Sequence, residues 1–416
     1  MLLSRHNHAL ALAALVLAYL PCLVHGRRVQ SWHEQLRISK GPTNSKPMKA
    51  DGSASGMATL DAVREFARLL FLSQVPAFHH SGLAGHARTF KPLLVSPHRQ
   101  QGPVMDAQEQ IHSWFDPLQR WGYDVPERPN RPLLAYIPGL DGSNGSPFVQ
   151  FPGLAKQFEL AVQDVNCESR ALNAAGFEDV VDDVASYLRS CGREKRFILG
   201  ESYGGLVAVG VALRHPGLVS GLILVNPATA VSGMPQLRED IEWVRFGGIP
   251  DPLVTPAILS KVGWKTFDVA FLGNAVRDIF IEKKMEKLRA MDPALAAYYD
   301  TALADFTQQL SGLKPADYWR GRLAQLDEGI QFVEPKLRSL ELPVLVVAGT
   351  GDNLLTSEKE AARLASMLPD CDKHLVVGAG HAGTLDQRVD LPAVISEWAS
   401  KRGLAVQPAA LDLVKV

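Results

Sequence analysis

The stretch Gly200-Glu201-Ser202-Tyr203-Gly204-Gly205 decides the fold of this chain because of what stands on either side of it. It directly follows the apolar run Phe197-Ile198-Leu199 and precedes a second apolar run at residues 206–213. Where a strand turns sharply into a helix, glycines are needed two residues before and two residues after the turn residue, for steric clearance. Gly200 and Gly204 meet that need, and Ser202 at the turn is the candidate nucleophile.

The flanking residues favour a parallel sheet. Alone, Gly-x-Ser-x-Gly also fits an ordinary strand–loop–helix connection with an exposed serine. Here the helical run is apolar on all sides, Arg214-His215-Pro216-Gly217 predicts a turn, and residues 222–225 form a further apolar run. Strand, turn, helix and strand in this order make one crossover of a parallel sheet that is buried on both faces.

Composition and charge are those of an ordinary globular protein. Hydrophobic residues make up 46% and charged residues 21% of the 416 residues. The formal net charge is −1, and removing residues 1–26, whose one charged side chain is Arg5, gives −1 − 1 = −2. Neither value favours a polyanionic partner, so we expect no nucleic-acid binding.

The four cysteines, at positions 22, 167, 191 and 371, lack the close pairing of a zinc site. We expect neither a metal nor an organic cofactor. The three cysteines beyond the leader are interpreted as buried structural thiols, with a Cys167–Cys191 disulfide as the alternative in an oxidising compartment.

Two N-terminal segments are typical of targeting. Residues 1–26 combine Arg5, an apolar run at 9–20 and Pro21, which predicts a signal peptide, with an uncleaved membrane anchor as the alternative. Residues 27–56 are basic and serine-rich, as in an organelle transit peptide or a flexible basic linker. Together they predict entry into the secretory route with a plastid as destination, or else secretion or an endomembrane lumen.

Beyond a mixed region at 57–130, with one helical run at 60–72, residues 131–416 alternate clearly between strands and helices. We predict strands at 133–137, 160–165, 197–199, 222–225, 344–348 and 375–377, and helices at 178–190, 357–367 and 392–401, besides the helix after Ser202.

A long insertion separates two of these strands. More than a hundred residues lie between Ala228 and Leu342, where an ordinary connection takes about a dozen. Its helical patterns, for example at 280–288 and 295–310, predict a cap at about 229–341 over the carboxyl edge of the sheet. Five aromatic residues either line an acyl pocket or form the core of the cap: Trp243, Trp264, Tyr298, Tyr299 and Trp319.

A serine nucleophile needs a histidine base and an acid that orients the base. Asp352 follows the apolar run 344–348, and His381 follows the apolar run 375–377, each in a glycine-bearing loop. Both therefore fall at the carboxyl edge of the sheet, in the chain order serine, acid, histidine. The alternatives are a turn-forming aspartate and a loop histidine without a role; Asp386, five residues after His381, is interpreted as coincidental.

The loop Pro138-Gly139-Leu140-Asp141-Gly142 follows the strand at 133–137. We expect it to supply one backbone N–H, from Leu140, to an oxyanion hole whose other donor is the N–H of Tyr203. Gly139 and Gly142 let the backbone turn and approach the substrate. A tight turn without a role is the alternative.

These stretches, together with Asn226-Pro227-Ala228-Thr229 and residues 355–364, resemble the plastid esterase/lipase/thioesterase family that includes the phytyl ester synthases. The resemblance runs from about Trp114 to Trp398. It implies an α/β-hydrolase fold, a mostly parallel sheet with a helical cap inserted between the sixth and seventh sheet strands. It also implies an acyl lipid or acyl thioester substrate, phytol or another long-chain alcohol as acceptor, and association with plastid membranes or lipid globules. The chain ends about fifteen residues after the last predicted helix, where those synthases continue into an acyltransferase-like domain.

Three functional hypotheses follow. The first is a serine-dependent hydrolase of lipid esters that uses Ser202, His381 and Asp352 and forms an acyl-enzyme. The second is an acyltransferase that makes phytyl or glycerolipid esters from the same acyl-enzyme. The third is a non-catalytic protein of this fold that binds a lipid or a protein; a peptidase of similar fold is less favoured, because the cap shows no acidic cluster for a peptide amine.

Overall fold

The computed structural model describes residues 111–124, 130–230, 250–258, 288–311, 314–385 and 389–404. Within them, seven strands form one sheet in the order β1-β3-β2-β4-β5-β6-β7. Only β1 runs antiparallel to its neighbour; the other described pairs are parallel. The strands are β1 (Ser113–Phe115), β2 (Leu133–Ile137), β3 (Glu159–Asp164), β4 (Arg196–Glu201), β5 (Gly221–Val225), β6 (Val344–Gly349) and β7 (Cys371–Val376).

Helices cover both faces of this sheet. They are numbered over the described residues as α1 (Pro117–Arg120), α2 (Phe151–Leu154), α3 (Arg170–Ala174), α4 (Phe177–Ser190), α5 (Tyr203–Arg214), α6 (Asp251–Ile258), α7 (Pro293–Ser311), α8 (Ala316–Val333), α9 (Ser357–Met367) and α10 (Leu391–Lys401). Short 3₁₀ helices lie at Ser146–Val149 and Glu334–Ser339. The predicted α/β-hydrolase architecture, a mostly parallel sheet between helical layers, is confirmed.

Successive side chains of each central strand enter opposite cores. In β4, Ile198 packs with α4, α5 and α9, whereas Phe197 and Leu199 pack with α2 and α10. Strands buried on both faces require continuous apolar sequence, which is why the short runs in this chain could be identified as strands. The parallel registers bring the carboxyl ends of β2, β4, β5 and β6 to one edge: Ile137 pairs with Gly200, Glu201 with Val225, and Val225 with Val347.

The insertion lies between β5 and β6, the fifth and sixth of the described strands, and not between a sixth and a seventh strand as the resemblance implied. These two strands are nevertheless the ones that the sequence placed on either side of it. Helix α7 packs against the 3₁₀ helix at Ser146–Val149, close to the loop after β2. Helix α8 begins after Pro315 and packs on α3, α4 and α5. Its second half joins the main core through Leu326, Ile330 and Val333.

Tyr298 and Trp319, two aromatic candidates for an acyl pocket, are packing residues. Tyr298 is fully buried and donates its hydroxyl to the carbonyl of Phe148. Trp319 packs with Val254 and donates its indole N–H to the hydroxyl of Thr255. Trp319 therefore belongs to the core of the insertion, the alternative given above, whereas Tyr298 packs outside the insertion, in a core of the sheet shared with Trp121 and Phe148. The ring of Tyr299 makes an edge-to-face contact with the ring of Tyr298. Burial raises the pKa of Tyr299 to about 12.

Helices α1, α2, α3 and α6 were not predicted, and three further elements differ from the sequence expectations. Strand β1 was not predicted, because three residues at a sheet edge show no periodicity. Strand β7 begins four residues earlier than predicted, at Cys371, because an edge strand accepts the polar run Cys371-Asp372-Lys373-His374. Helix α8 was not predicted as a helix; it begins directly after Pro315.

Cys167, Cys191 and Cys371 are free thiols in the structure, so the alternative of a Cys167–Cys191 disulfide is not observed. Within the described ranges, the helices lack the combination of length and hydrophobicity needed to cross a bilayer. Several predictions lie outside these ranges: the targeting segments, the helical run at 60–72, most of the run at 280–288, Trp243, Trp264 and Asp386.

Candidate active site

Ser202 sits at the junction of β4 and α5 in a strained backbone conformation. Its φ of 55° and ψ of −117° are rare for a residue with a side chain. The turn is held by hydrogen bonds from the N–H of Ser202 to the carbonyl of Val225, at 2.9 Å, and from the N–H of Ala228 to the carbonyl of Ser202, at 3.0 Å. The predicted sharp turn is thus present, with Ser202 at its apex.

The flanking glycines are required by close backbone approach. A Cβ on Gly200 would lie 2.4 Å from the carbonyl oxygen of Gly204, and a Cβ on Gly204 would lie 2.1 Å from the carbonyl oxygen of Ile137. Both distances are far below a permitted contact, so a side chain at Gly200 would push the start of α5 away from β4, and one at Gly204 would push it away from β2.

Ser202, His381 and Asp352 form one hydrogen-bonded line. The Nε2 of His381 lies 3.0 Å from the Oγ of Ser202, and its Nδ1 lies 2.7 Å from the Oδ2 of Asp352. An ionised carboxylate can only accept, so Nδ1 carries the proton and Nε2 accepts the hydrogen bond from the Ser202 hydroxyl. The structure therefore brings together the three residues that the sequence singled out.

Asp352 is held by donors on every side. Its Oδ1 accepts hydrogen bonds from the N–H groups of Leu354, at 2.8 Å, and Leu355, at 3.0 Å, and its Oδ2 also accepts one from the hydroxyl of Ser357. Burial would raise the pKa of Asp352, but the charge and hydrogen bond of His381 and these further donors lower it overall. Asp352 is therefore ionised and fixed in position near neutral pH.

His381 is buried, with 4% of its surface exposed. Burial would lower its pKa, but the charge of Asp352 and its hydrogen bond, together with the charges of Glu201 and Asp141, raise the pKa above the ordinary 6.5. The pair is therefore arranged to stabilise a proton on His381 once it has been taken from Ser202.

Asn226 holds the loop that carries His381. It follows β5, is fully buried, and has a positive φ of 45°. Its amide donates to the carbonyls of Gly380, at 3.1 Å, and His381, at 2.7 Å, while its side-chain oxygen accepts from the N–H of Gly349, at 2.9 Å. In the sequence, Asn226 stands out only as part of the motif Asn226-Pro227-Ala228-Thr229; its place at the end of a buried strand, as for Asp352, is the signal that could have identified it.

Glu201, which directly precedes Ser202, is a buried carboxylate that sequence reasoning also missed. It accepts hydrogen bonds from the hydroxyl of Tyr136, at 3.0 Å, and from both the N–H and the hydroxyl of Thr384, at 3.1 and 2.7 Å. It therefore joins the end of β4 to the loop after His381. An acid between apolar strand residues and a turn was a usable signal, since an unpaired buried carboxylate is costly.

The loop after β2 lies beside Ser202. A Cβ on Gly139 would lie 3.7 Å from the Cβ of Ser202, and Gly142 has a positive φ of 71°. Within the described residues, the N–H groups of Leu140 and Tyr203 donate no hydrogen bond to another protein group. The two predicted oxyanion donors are thus unused by the protein itself, as donors kept for a substrate oxygen should be.

The remaining histidines with described positions lie elsewhere. His215 bonds to Asp182 and Arg189 at the end of α5, and the side chain of His374 lies on the exposed edge strand β7. The His79-His80 pair lies outside the described residues.

Comparison with known proteins agrees with this geometry. A family model described as "Alpha/beta hydrolase family" matches residues 137–391, well over half of the chain. The chain belongs to the alpha/beta hydrolase family. The match extends from the end of β2 to the start of α10, and so includes the turn at Ser202, the loops that carry Asp352 and His381, and the insertion.

Three curated relatives illustrate the range of similarity. Phytyl ester synthase 1 of Arabidopsis thaliana, named as chloroplastic, is 28% identical over 291 residues, which are 68% of this chain and 38% of that protein. Phytyl ester synthase 2 of the same plant is 25% identical over 304 residues, 68% of this chain and 39% of that protein. The pimeloyl-[acyl-carrier protein] methyl ester esterase of Edwardsiella ictaluri is 26% identical over 257 residues, 61% of this chain and 87% of that protein.

The similarity to the two phytyl ester synthases is distant and falls on the hydrolase region of this chain. The matched part spans about two fifths of the length of each synthase.

Proposed function

We propose that this alpha/beta hydrolase is a serine-dependent esterase that acts on acyl esters of lipids. The observation that carries the proposal is the line from Ser202 through His381 to Asp352, with distances of 3.0 and 2.7 Å. Each group is in the state that its role needs: a hydroxyl donating to a neutral imidazole, and an imidazole oriented by an ionised carboxylate.

The reaction has two halves. The Oγ of Ser202 attacks the ester carbonyl carbon while its proton passes to Nε2 of His381. The tetrahedral oxyanion then collapses, the bond to the leaving alcohol breaks, and His381 returns the proton to the alcohol oxygen. This leaves an acyl-enzyme on Ser202. In the second half a water molecule, deprotonated by His381, attacks the acyl carbon and releases the carboxylic acid and Ser202.

The N–H groups of Tyr203 and Leu140 are proposed to stabilise the oxyanion in both halves. Tyr203 follows the nucleophile at the start of α5, so its N–H also carries the positive end of the helix dipole. Losing one such donor typically costs about 10²–10³ in turnover.

A lipid ester as substrate is supported by the relatives. Two of them are named phytyl ester synthases and a third is named a pimeloyl-[acyl-carrier protein] methyl ester esterase. An acyl lipid or an acyl thioester would enter the same first half-reaction. We propose peripheral association with a membrane or lipid globule as the way such a substrate is reached.

A fluorophosphonate probe tests the nucleophile. We expect the full chain to be labelled on Ser202 and to hydrolyse p-nitrophenyl acyl esters, and we expect Ser202→Ala to lose both. Turnover should fall by about 10⁶, as in related triads. The control is Ser366→Ala, which removes an exposed hydroxyl on α9 and should leave labelling unchanged. An unlabelled wild-type protein would favour the non-catalytic binding protein instead.

The second candidate is an acyltransferase that passes the acyl group to phytol or another long-chain alcohol. It is favoured by the names of the two Arabidopsis relatives. A radiolabelled acyl donor offered with and without phytol separates the two reactions. Phytyl ester formed above the level of Ser202→Ala supports transfer, whereas free fatty acid alone supports hydrolysis.

A plastid location is proposed from the leader and the chloroplastic relatives. Residues 1–56 fused to a fluorescent protein should direct it to plastids in algal or plant cells. Retention of the fusion in the endomembrane lumen, or its secretion, would contradict this.

A further inference from the structure

Arg322 on α8 places a buried guanidinium against the loop after β2. Only 1% of its surface is exposed. Its Nη2 donates to the carbonyl of Gly139, at 3.2 Å, and its Nε donates to the carbonyl of Leu140, at 3.4 Å. The insertion thus contacts Gly139 and Leu140, the two residues joined by the peptide bond that carries the proposed oxyanion donor.

The contact with Gly139 acts on one particular peptide plane. In a trans peptide the C=O and the N–H of the same plane point in opposite directions. The carbonyl of Gly139 belongs to the same plane as the N–H of Leu140. This carbonyl accepts from the guanidinium and, at 3.0 Å, from the N–H of Gly142. The two bonds together hold it on one side, so the Leu140 N–H points to the other side, away from α8.

The same guanidinium holds the second donor residue. Its Cζ lies 4.1 Å from the ring centre of Tyr203, in a cation–π arrangement. The hydroxyl of Tyr203 donates to Oε1 of Gln325, one turn further along α8, at 3.1 Å. The Nε2 of Gln325 in turn donates to the carbonyls of Leu172 and Ala175, at 3.1 and 3.0 Å. Both donor residues are thus fixed by one face of one helix.

The charge of Arg322 is unusual in this setting. Among the described residues it makes no ion pair, and its partners are carbonyls, the Gln325 amide oxygen and aromatic rings. A buried cation without a carboxylate partner is costly, because burial removes its hydration and only carbonyls and aromatic rings offset the loss. A cation bonded to the Gly139 carbonyl also polarises that peptide and strengthens the Leu140 N–H as a donor.

We infer that Arg322 is a positioning residue of the oxyanion hole, through which the insertion sets the geometry and donor strength of the Leu140 and Tyr203 N–H groups. This inference rests on the proposed function. Arg322 acts through the two backbone donors and does not itself touch the substrate.

Tyr318 also binds the loop after β2, through a single hydrogen bond. Its hydroxyl donates to the carbonyl of Leu140 at 2.9 Å, the carbonyl that also accepts from Arg322. Tyr318→Phe removes this single hydrogen bond and keeps the ring in the core. Tyr318 and Arg322 share an acceptor, so their substitutions should not be additive.

The experiment compares Arg322→Lys, Arg322→Met, Tyr318→Phe and the double variant Arg322→Lys/Tyr318→Phe. The matched control is Arg320→Gln on the same helix, whose guanidinium pairs with Asp251 at the surface. Four quantities are measured on each protein: the rate of acylation by p-nitrophenyl butyrate, its KM, the melting temperature, and the affinities of two inhibitors. One inhibitor is an alkyl trifluoromethyl ketone, which forms a tetrahedral oxyanion on Ser202; the other is the matching unreactive alkyl ether.

We expect Arg322→Lys to slow acylation by about tenfold and Arg322→Met by up to about 10²-fold, the cost of a misplacement of roughly 1 Å. KM should stay within about twofold. Affinity for the ketone should fall by the same factor as acylation, and affinity for the ether should not change, because only the oxyanion needs the hole. Tyr318→Phe should show the same pattern on a smaller scale, and Arg320→Gln should match the wild type.

An Arg322 variant with a lower melting temperature but an unchanged acylation rate per labelled active site would overturn the inference. An equal loss of affinity for the ketone and for the ether would also overturn it, because such a loss indicates a general structural role. If Arg322→Met fails to fold, the acylation rates and inhibitor affinities of Arg322→Lys and Tyr318→Phe test the inference. A wild-type protein without esterase activity or labelling would instead overturn the proposed function, and this inference with it.

Discussion

The amide of Asn226 donates a hydrogen bond of 2.7 Å to the backbone carbonyl of His381. Because the same side chain also bonds to Gly380 and Gly349, Asn226 joins the ends of β5 and β6 to the loop that carries the base. The position of His381 against Ser202 thus depends on a residue that touches neither reacting group.

We predict that Asn226→Ala lowers both activity and stability. Three buried hydrogen bonds are lost, which should reduce the free energy of unfolding by about 2–4 kcal/mol. Turnover should fall at least about tenfold, because the His381 loop is no longer fixed. Urea denaturation and kcat at saturating p-nitrophenyl ester measure the two effects. Asn130→Ala is the control for backbone strain, since Asn130 also has a positive φ, of 68°, but is exposed; an equal loss in both variants would contradict the role assigned to Asn226.

The rate should depend on the protonation of His381. Only neutral His381 can take the proton of Ser202, and the charge of Asp352 raises the pKa of His381 above 6.5. We therefore expect kcat/KM to rise with pH and to level off only above a pKa higher than 6.5. A profile that is already flat at pH 6 would contradict the raised value.

Stability should depend on pH in the opposite sense. A raised pKa in the folded state means that His381 contributes stability below pH 6.5, which is lost as pH rises through the raised value. Asp352 has a lowered pKa, so its contribution is present above 3.8 and is lost as pH falls through the lowered value. The pair should therefore stabilise the fold most strongly between these limits. Melting temperatures of the wild type and of Asp352→Asn, measured from pH 3 to 9, should differ most in this window.

Glu201→Gln should separate the effect of the negative charge of Glu201 from that of its shape, beside the turn at Ser202. The amide has one acceptor oxygen for three donors, so we expect the free energy of unfolding to fall by about 1–3 kcal/mol. Glu201 also helps to raise the pKa of His381, so removing its charge should move the acid limb of the kcat/KM profile to lower pH. Glu397→Gln, which removes a fully exposed carboxylate, should change neither property. An unmoved acid limb would contradict the electrostatic part.

Gly204→Ala should lower activity strongly by displacing the backbone beside Ser202. The added methyl group would lie 2.1 Å from the carbonyl oxygen of Ile137, so the start of α5 must move away from β2. Because that movement displaces the Tyr203 N–H from the loop at Gly139, we expect turnover to fall by about 10² or more. Gly176→Ala provides the comparison, since its methyl group would meet no atom closer than 3.4 Å. Equal activities of the two variants would show that the elbow tolerates the displacement.

The sequence was most informative where buried strands end at the carboxyl edge. Asp352 and His381 each follow an apolar run, and parallel register brings such ends together, so the triad could be predicted without knowing any distance. Asn226 obeys the same rule but was read as a motif residue. Arg322 could not be found this way, because on a helix with mixed polarity a lone arginine is indistinguishable from a surface residue. Its partners, Gly139 and Leu140, are more than 180 residues away in the chain, and only the tertiary structure brings them together.

The placement of α8 has a practical consequence for protein engineering. Grafting the insertion of another alpha/beta hydrolase onto this sheet is an obvious way to alter substrate preference. A graft that replaces residues 316–333 would also remove Tyr318, Arg322 and Gln325, and so would exchange the support of the loop after β2 along with the rest of the insertion. Chimaeras should therefore be joined before Pro315, so that the donor sequence ends where α8 begins. A change in specificity can then be measured without an accompanying change in rate caused by the loss of α8.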